Sequence, residues 1–174
     1  ARVMGVQLER PKNIILMIGD GMGISQITAG MYANGNRLEL ERCTVVGLHK
    51  PHAADKLITD SAAGATAFAC GKKTNNGMIG MTPDGSPCQT ILEEAESRGL
   101  ATGLITTSTI VHATPAAFIA HQPSRKNMEK IADDIHRTKV DLLIGGGKKY
   151  FDRREKDDRN LIEEWMRGDY VVKD

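Results

Sequence analysis

The chain has 174 residues, 40% of them apolar and 26% charged, and a formal net charge of +1. That length can bury a core, and the composition excludes a disordered chain. The charge gives no reason to expect a nucleic acid or an anionic membrane as partner, and no apolar run approaches the roughly 20 residues of a membrane helix.

Residues 1–10 lack the basic-then-apolar pattern of a signal peptide, so an exported form would have lost its signal already. Asn13 to Gly19 is a continuous apolar run, which suits a strand buried on both faces of a parallel sheet. It runs into Gly19-Asp20-Gly21-Met22-Gly23, and a helical stretch follows from Ser25 to Ala33. Asp20 is thereby expected at the carboxyl end of a central strand, where open α/β sheets keep their ligands. Thr44 to Leu48 reads as a short strand. Thr59-Asp60-Ser61-Ala62-Ala63-Gly64-Ala65-Thr66 then opens a helix of small residues, with Asp60 or Ser61 as its N-cap and Gly71 as its stop.

Asn75 to Gly85 is a loop by composition. Ser86, Pro87 and Gln89 match a capping box and predict a helix that ends at Gly99. Leu100 to Thr107 is a second buried strand, and Ser108 to Pro115 a polar connection. Met128, Ile131, Ala132 and Ile135 recur at helical spacing. Val140 to Ile144 is a third strand with Gly145-Gly146-Gly147 as its exit. Asn160 to Arg167 is helical, and Tyr170 to Val172 looks like a strand just starting. This alternation predicts an α/β sandwich: a mostly parallel central sheet with helices on both faces. The last strand has no helix after it, so the chain reads as the first part of a larger domain.

Three cysteines, Cys43, Cys70 and Cys88, contain no C-x-x-C pair, which argues against a thiolate zinc site. A single bridge between Cys43 and Cys88 is allowed by the count and not fixed by it, and Cys70 reads as a small buried hydrophobe.

Several residues suit chemistry. The Asp20 carboxylate, between glycines, is a hard ligand for a divalent metal. A dinucleotide fold would use the same Gly19-x-Gly21 turn and has Glu39 or Glu41 for a ribose, but Ile24 stands where a glycine or alanine is needed. A P-loop is excluded for want of G-K-[ST]. The nucleophile elbow G-x-S-x-G also fails, because Thr59 and Ala63 flank Ser61. Ser61 at a helix start has free backbone N–H groups and the positive end of the helix dipole beside it, which favour a phosphate or an oxyanion. His112 and Thr114, two residues apart, project to one side if their segment is extended and suit a metal shell; the plainer reading is a surface loop with a capping threonine. Arg125, behind Ser124, carries a planar fork that matches two phosphate oxygens, although most arginines at helix starts are simply solvated. His121 is the histidine nearest the same edge, and Lys72 and Lys73 read as surface charges.

Taken in order, Ile14-Ile15-Leu16-Met17-Ile18-Gly19-Asp20-Gly21-Met22-Gly23, the Asp60-Ser61-Ala62-Ala63-Gly64-Ala65-Thr66 block and His112-Ala113-Thr114-Pro115-Ala116 with Arg125 behind it resemble the N-terminal part of the alkaline phosphatase family. The resemblance implies that residues 1–174 are the N-terminal part of one catalytic domain that hydrolyses phosphate monoesters through a phosphoserine at Ser61. It implies two zinc ions and one magnesium, with Asp20 bridging a zinc and the magnesium, Thr114 as a hydroxyl ligand and His112 acting on that site through water. Arg125 would grip the phosphate and Asp60 would orient Arg125. No histidine lies beside Ser61, so a metal would have to lower the hydroxyl's pKa. Inorganic phosphate as product, a homodimer, and a periplasmic or extracellular location follow by the same likeness. A sulfatase-like or phosphodiester-cleaving relative and a non-catalytic phosphate or nucleotide binder are the alternatives. After His136 the sequence holds no histidine, so the 174-residue chain alone is expected to bind metal poorly and to have little activity.

Overall fold

The computed structural model describes residues 2–3, 6–7, 11–168 and 170–173. The readings made for residues 1, 4–5 and 8–10, part of the signal-peptide question, lie outside the described residues. The chain divides into two units, Ala1–Val45 and Val46–Asp174.

In the first unit β1 (Arg2–Val3) pairs antiparallel with β2 (Val6–Gln7), two elements too short to be legible in the sequence. Helix α1 (Ile24–Ala33) follows, started by Gly23, whose N–H donates to the Gln26 side chain at 3.1 Å. The strand expected from Asn13 to Gly19 is not formed. Among the described residues no segment pairs with it, and Ile14 and Met17 are 85% and 88% exposed. An apolar run becomes a strand only when a neighbour supplies the ladder. Asp20 occupies a tight turn in which Met22 N–H donates to Gly19 O at 3.1 Å. Thr44 to Leu48 is likewise not a strand, and its valines and leucine are exposed.

The second unit carries the core. Helix α2 (Ser61–Cys70) is capped by Asp60 and stopped by Gly71, whose φ of +67° is one that an L side chain rarely adopts. Its inward residues, Ala62, Ala63, Ala65, Thr66 and Ala69, are all buried and all small. Helix α4 (Ala113–Ala116) presents Ala113, Pro115 and Ala116, again small and buried, and the two helices pack together. Small side chains on both partners allow the close end of the usual 8–10 Å helix spacing. Ile79, Val111, Ile119, Ile131, Ile135, Val140 and Leu161 fill the interior around them.

Helix α3 (Ile91–Ser97) begins five residues after Ser86. The capping box that forms is Thr90-x-x-Glu93: Thr90 N–H donates to Glu93 Oε2 at 2.8 Å and Glu93 N–H to Thr90 Oγ1 at 3.1 Å. Ser86 closes a turn instead, its carbonyl accepting from Thr82 N–H at 2.8 Å. The competing box wins because the buried Thr90 hydroxyl also donates to Phe118 O at 2.7 Å, a tertiary bond Ser86 does not make.

Strands β3 (Gly103–Thr109) and β4 (Leu142–Gly146) pair in parallel, with Leu104 opposite Leu143 and Ile105 opposite Ile144. Their burial is only partial, contrary to expectation: Ile105 is 69% and Ile144 51% exposed, because a two-stranded ladder offers more face than the helices around it cover. Helix α5 (Met128–His136), the short α6 (Lys149–Asp152) and α7 (Leu161–Met166) form the remaining corner. There Trp165 stacks on Phe151 with ring centroids 5.3 Å apart and lies 5.2 Å from the His136 ring. Tyr170 to Val172 is not a strand. The parallel pair and its helices make the chain an α/β protein.

Cys70 and Cys88 form a disulfide with Cα atoms 6.0 Å apart, and Cys43 is free and exposed. Cys70 is therefore not a plain core residue, and Cys88 is not available to Cys43. The bridge closes an 18-residue separation, which corresponds to about 3 kcal/mol of unfolded-state entropy. Urea unfolding of the Cys70→Ser, Cys88→Ser double variant should show a loss of about that size; an unchanged midpoint would mean that the bridge contributes nothing to stability.

Candidate active site

Asp60 has extended backbone (φ −90°, ψ 174°), and its Oδ1 accepts the Ala63 N–H at 2.9 Å. Capping is thus done by the aspartate. Ser61, the first helical residue, keeps its hydroxyl out of that task, which separates the functional reading from the structural one. The Ser61 Oγ accepts from Arg125 Nη1 at 2.8 Å. The same Nη1 reaches Asp60 Oδ2 at 3.2 Å, and that oxygen also accepts the Gly77 N–H at 3.0 Å. Arg125 and Asp60 side chains are each 27% exposed, so the pair is partly shielded from water and held by hydrogen bonds as well as charge.

His112 is the N-cap residue of α4, and its Nε2 lies 3.2 Å from Arg125 Nη2. A guanidinium only donates, so this nitrogen is the acceptor and a neutral ring carries its proton on Nδ1. Thr114 sits in the first turn of α4, half-buried. The segment is therefore the start of a helix. It is neither the extended stretch nor the plain surface loop that the sequence suggested, and spacing by two no longer aligns the His112 and Thr114 side chains.

The structure thus brings together Asp60, Ser61, His112 and Arg125, from the starts of α2 and α4 and the turn before α5. Thr114 is two residues from His112. Asp20 belongs to the first unit, where it is exposed in its turn. Lys73 is more than a surface charge: its Nζ donates to Lys50 O at 2.8 Å and to His52 O, tying down the approach to α2. Among the described residues no group of three or more His, Cys, Asp or Glu side chains is placed to hold a metal.

The sequence marks Asn75 to Gly85 only as a loop, yet this stretch forms one wall of the site. Asn76 and Gly77 bond directly to Asp60 and to the Arg125 backbone. Further along, Gly80 (φ +57°) packs so tightly that a Cβ there would lie 2.1 Å from Ala120 O. No compositional signal marks these positions except the glycines.

His121 secures the far end of this loop. Its Nδ1 lies 2.5 Å from Gly80 O and its Nε2 2.7 Å from Glu93 Oε1, while its N–H donates to Asp134 Oδ2 at 3.1 Å. Burial alone would lower the imidazole's pKa. The Gly80 carbonyl and the Glu93 carboxylate, with Asp134 behind, outweigh burial and raise it above 6.5.

A serine hydroxyl under a carboxylate-oriented guanidinium at a helix N-terminus, on an α/β chain, is the arrangement expected of an anion-handling site. A family model described as alkaline phosphatase matches residues 11–173, and the chain belongs to the alkaline phosphatase family. Alkaline phosphatase 3 of Bacillus subtilis strain 168 is 45% identical over 177 residues, covering 94% of this chain and 38% of that protein. The solved alkaline phosphatase of the Antarctic bacterium TAB5 is 40% identical with a TM-score of 0.86, over 90% of this chain and 46% of the other. A histidine-to-aspartate variant of that enzyme, described as having Mg bound in the M3 site, gives 37% identity and a TM-score of 0.88 over 97% of this chain and 50% of the other. The chain spans half or less of the length of these relatives.

The raised His121 pKa fixes the sign of a pH effect. The stability this residue adds is fully present below the unfolded value of 6.5 and is lost as pH rises through the higher folded value. In urea melts from about pH 5 to about pH 9, the stability gap between wild type and His121→Gln should narrow with rising pH. A gap that does not change with pH would show that the His121 charge does not contribute.

Proposed function

We propose that the protein hydrolyses phosphate monoesters, with Ser61 as nucleophile. The observation that carries this reading is the single guanidinium nitrogen, Arg125 Nη1, that touches both the Ser61 hydroxyl and the Asp60 carboxylate. Ser61 Oγ attacks phosphorus, the bond from phosphorus to the ester oxygen breaks, and the alcohol leaves with the proton that the serine hydroxyl gives up, giving a phosphoserine. Water then attacks the same phosphorus, releasing inorganic phosphate and restoring the hydroxyl. The charge on the transferring group is met by the Arg125 fork and by the free N–H groups and dipole at the start of α2. Asp60 keeps the fork aimed by neutralising it through the same Nη1 that faces Ser61.

Family likeness adds two zinc ions and one magnesium to this reading, with Asp20, Ser61, His112 and Thr114 as the donors this chain would offer. Four donors cannot supply three or four protein ligands to each of two zinc ions. No helix among the described residues is long and apolar enough to cross a membrane. The Cys70–Cys88 bridge supports a periplasmic or extracellular setting, where disulfides persist. A homodimer is part of the proposal by likeness alone.

Two variants of the intact protein test the assignment. Ser61→Ala should lower kcat for p-nitrophenyl phosphate by roughly 10³-fold or more and abolish acid-stable labelling by radioactive phosphate. Arg125→Ala should weaken inhibition by inorganic phosphate roughly 10- to 100-fold, the loss expected of a charge-assisted hydrogen bond. Covalent labelling that survives Ser61→Ala would remove the serine from its role.

A further inference from the structure

The sequence reading passed over Asn76, and the mechanism above does not use it. Its side chain nevertheless makes the bonds of a missing strand. Asn76 Oδ1 accepts the Asp60 N–H at 2.9 Å, and Asn76 Nδ2 donates to Ile58 O at 2.9 Å. One side-chain amide thus satisfies a donor and an acceptor flanking Thr59, in the last extended residues before α2. Asn76 is itself held, its own N–H donating to Asp55 Oδ1 at 2.9 Å. The next residue completes the arrangement. Gly77 N–H donates to Asp60 Oδ2 at 3.0 Å, and Gly77 O accepts the Arg125 N–H at 2.7 Å.

We propose that Asn76 is a positioning residue for the Ser61 nucleophile, its side-chain amide fixing the Ile58–Asp60 backbone so that Ser61 Oγ and the Arg125 fork keep their alignment. This rests on the phosphomonoesterase reading. The Asn76 amide bonds to the backbone on either side of Thr59, so its effect is transmitted through the Asp60 backbone. The helix cap, the orientation of the guanidinium and the direction of the Ser61 Cα–Cβ bond all follow from where Asp60 sits. Displacing a nucleophile by about 1 Å can cost on the order of 100-fold in rate. Arg125 retains its anchor on Gly77 O when Asn76 is changed, so phosphate binding is affected less than turnover.

The test compares Asn76→Ala and Asn76→Asp in the intact protein. Asn76→Ala removes both bonds and should lower kcat roughly 10- to 100-fold, with KM and the inhibition constant of inorganic phosphate changed by less than about threefold. Asn76→Asp keeps the acceptor for Asp60 N–H but turns the donor to Ile58 O into a second acceptor facing that carbonyl, so it should restore only the part of kcat that the Asp60 bond carries. A general loss of structure would instead change the fraction of active molecules and move both variants alike. A readout independent of activity accompanies this: amide hydrogen exchange at Asp60 should be roughly tenfold faster in Asn76→Ala than in wild type, and slower again in Asn76→Asp. An unchanged kcat in Asn76→Ala, or unchanged exchange at Asp60, overturns the proposal. If Asn76→Ala fails to fold, Asn76→Asp is judged against wild type by the same two measurements. If the intact wild-type protein hydrolyses no monoester, the phosphatase reading falls by itself, and the exchange rates decide whether the Asn76 contact orders Asp60.

Discussion

The Asp60 carboxylate is the contact on which the rest of the site depends. One oxygen closes the first turn of α2, and the other is divided between the Gly77 amide and the Arg125 guanidinium. A carboxylate with two oxygens, each able to accept more than one bond, is the only common side chain that can do all three at once. An asparagine would place a donor where a donor is already waiting. Because the cap is supplied one residue before the helix, the hydroxyl at the first helical position is spared from capping and accepts instead from a fixed positive charge. The separation of support from chemistry between two adjacent residues is what makes Ser61 a plausible nucleophile.

Size is the second constraint. The buried residues of α2 and α4 are alanine, threonine and proline. A leucine in place of Ala62 or Ala116, both fully buried, would push the helices apart and separate His112 from the guanidinium that reaches Ser61. The polar contacts of the site therefore rest on an apolar interface chosen for thinness. The loop from Asn76 to Gly80 follows the same logic, since the backbone at Gly80 approaches Ala120 too closely to allow a Cβ.

Much of the site was legible because its signals are local. An acid-serine pair followed by alanines, closed ten residues later by glycine, is a helix with a defined start and end whatever surrounds it. The periodic apolar positions of α5 and the strands β3 and β4 were legible for the same reason. What failed depended on partners distant in sequence. Asn13 to Gly19 has the composition of a buried strand, but composition does not supply a neighbour. Ser86 and Thr90 both head a capping box, and the choice between them was made by a carbonyl at Phe118. Cys88 pairs with the end of α2, a fact no spacing rule contains. Asn76 is an ordinary loop residue until the fold sets its amide against the backbone of Ile58 and Asp60.

Trp165 is the sole tryptophan of the chain, and it lies between Phe151 and His136 in the corner formed by α5, α6 and α7. Intrinsic emission excited at the red edge of the protein absorbance consequently reports that corner and is silent about α2. A melt followed only by that signal would register the loosening of one region as if it were the whole. Agreement between this optical probe and far-ultraviolet dichroism is the criterion for treating the transition as all-or-none, and disagreement would reveal that the α2–α4 region and the aromatic corner come apart separately.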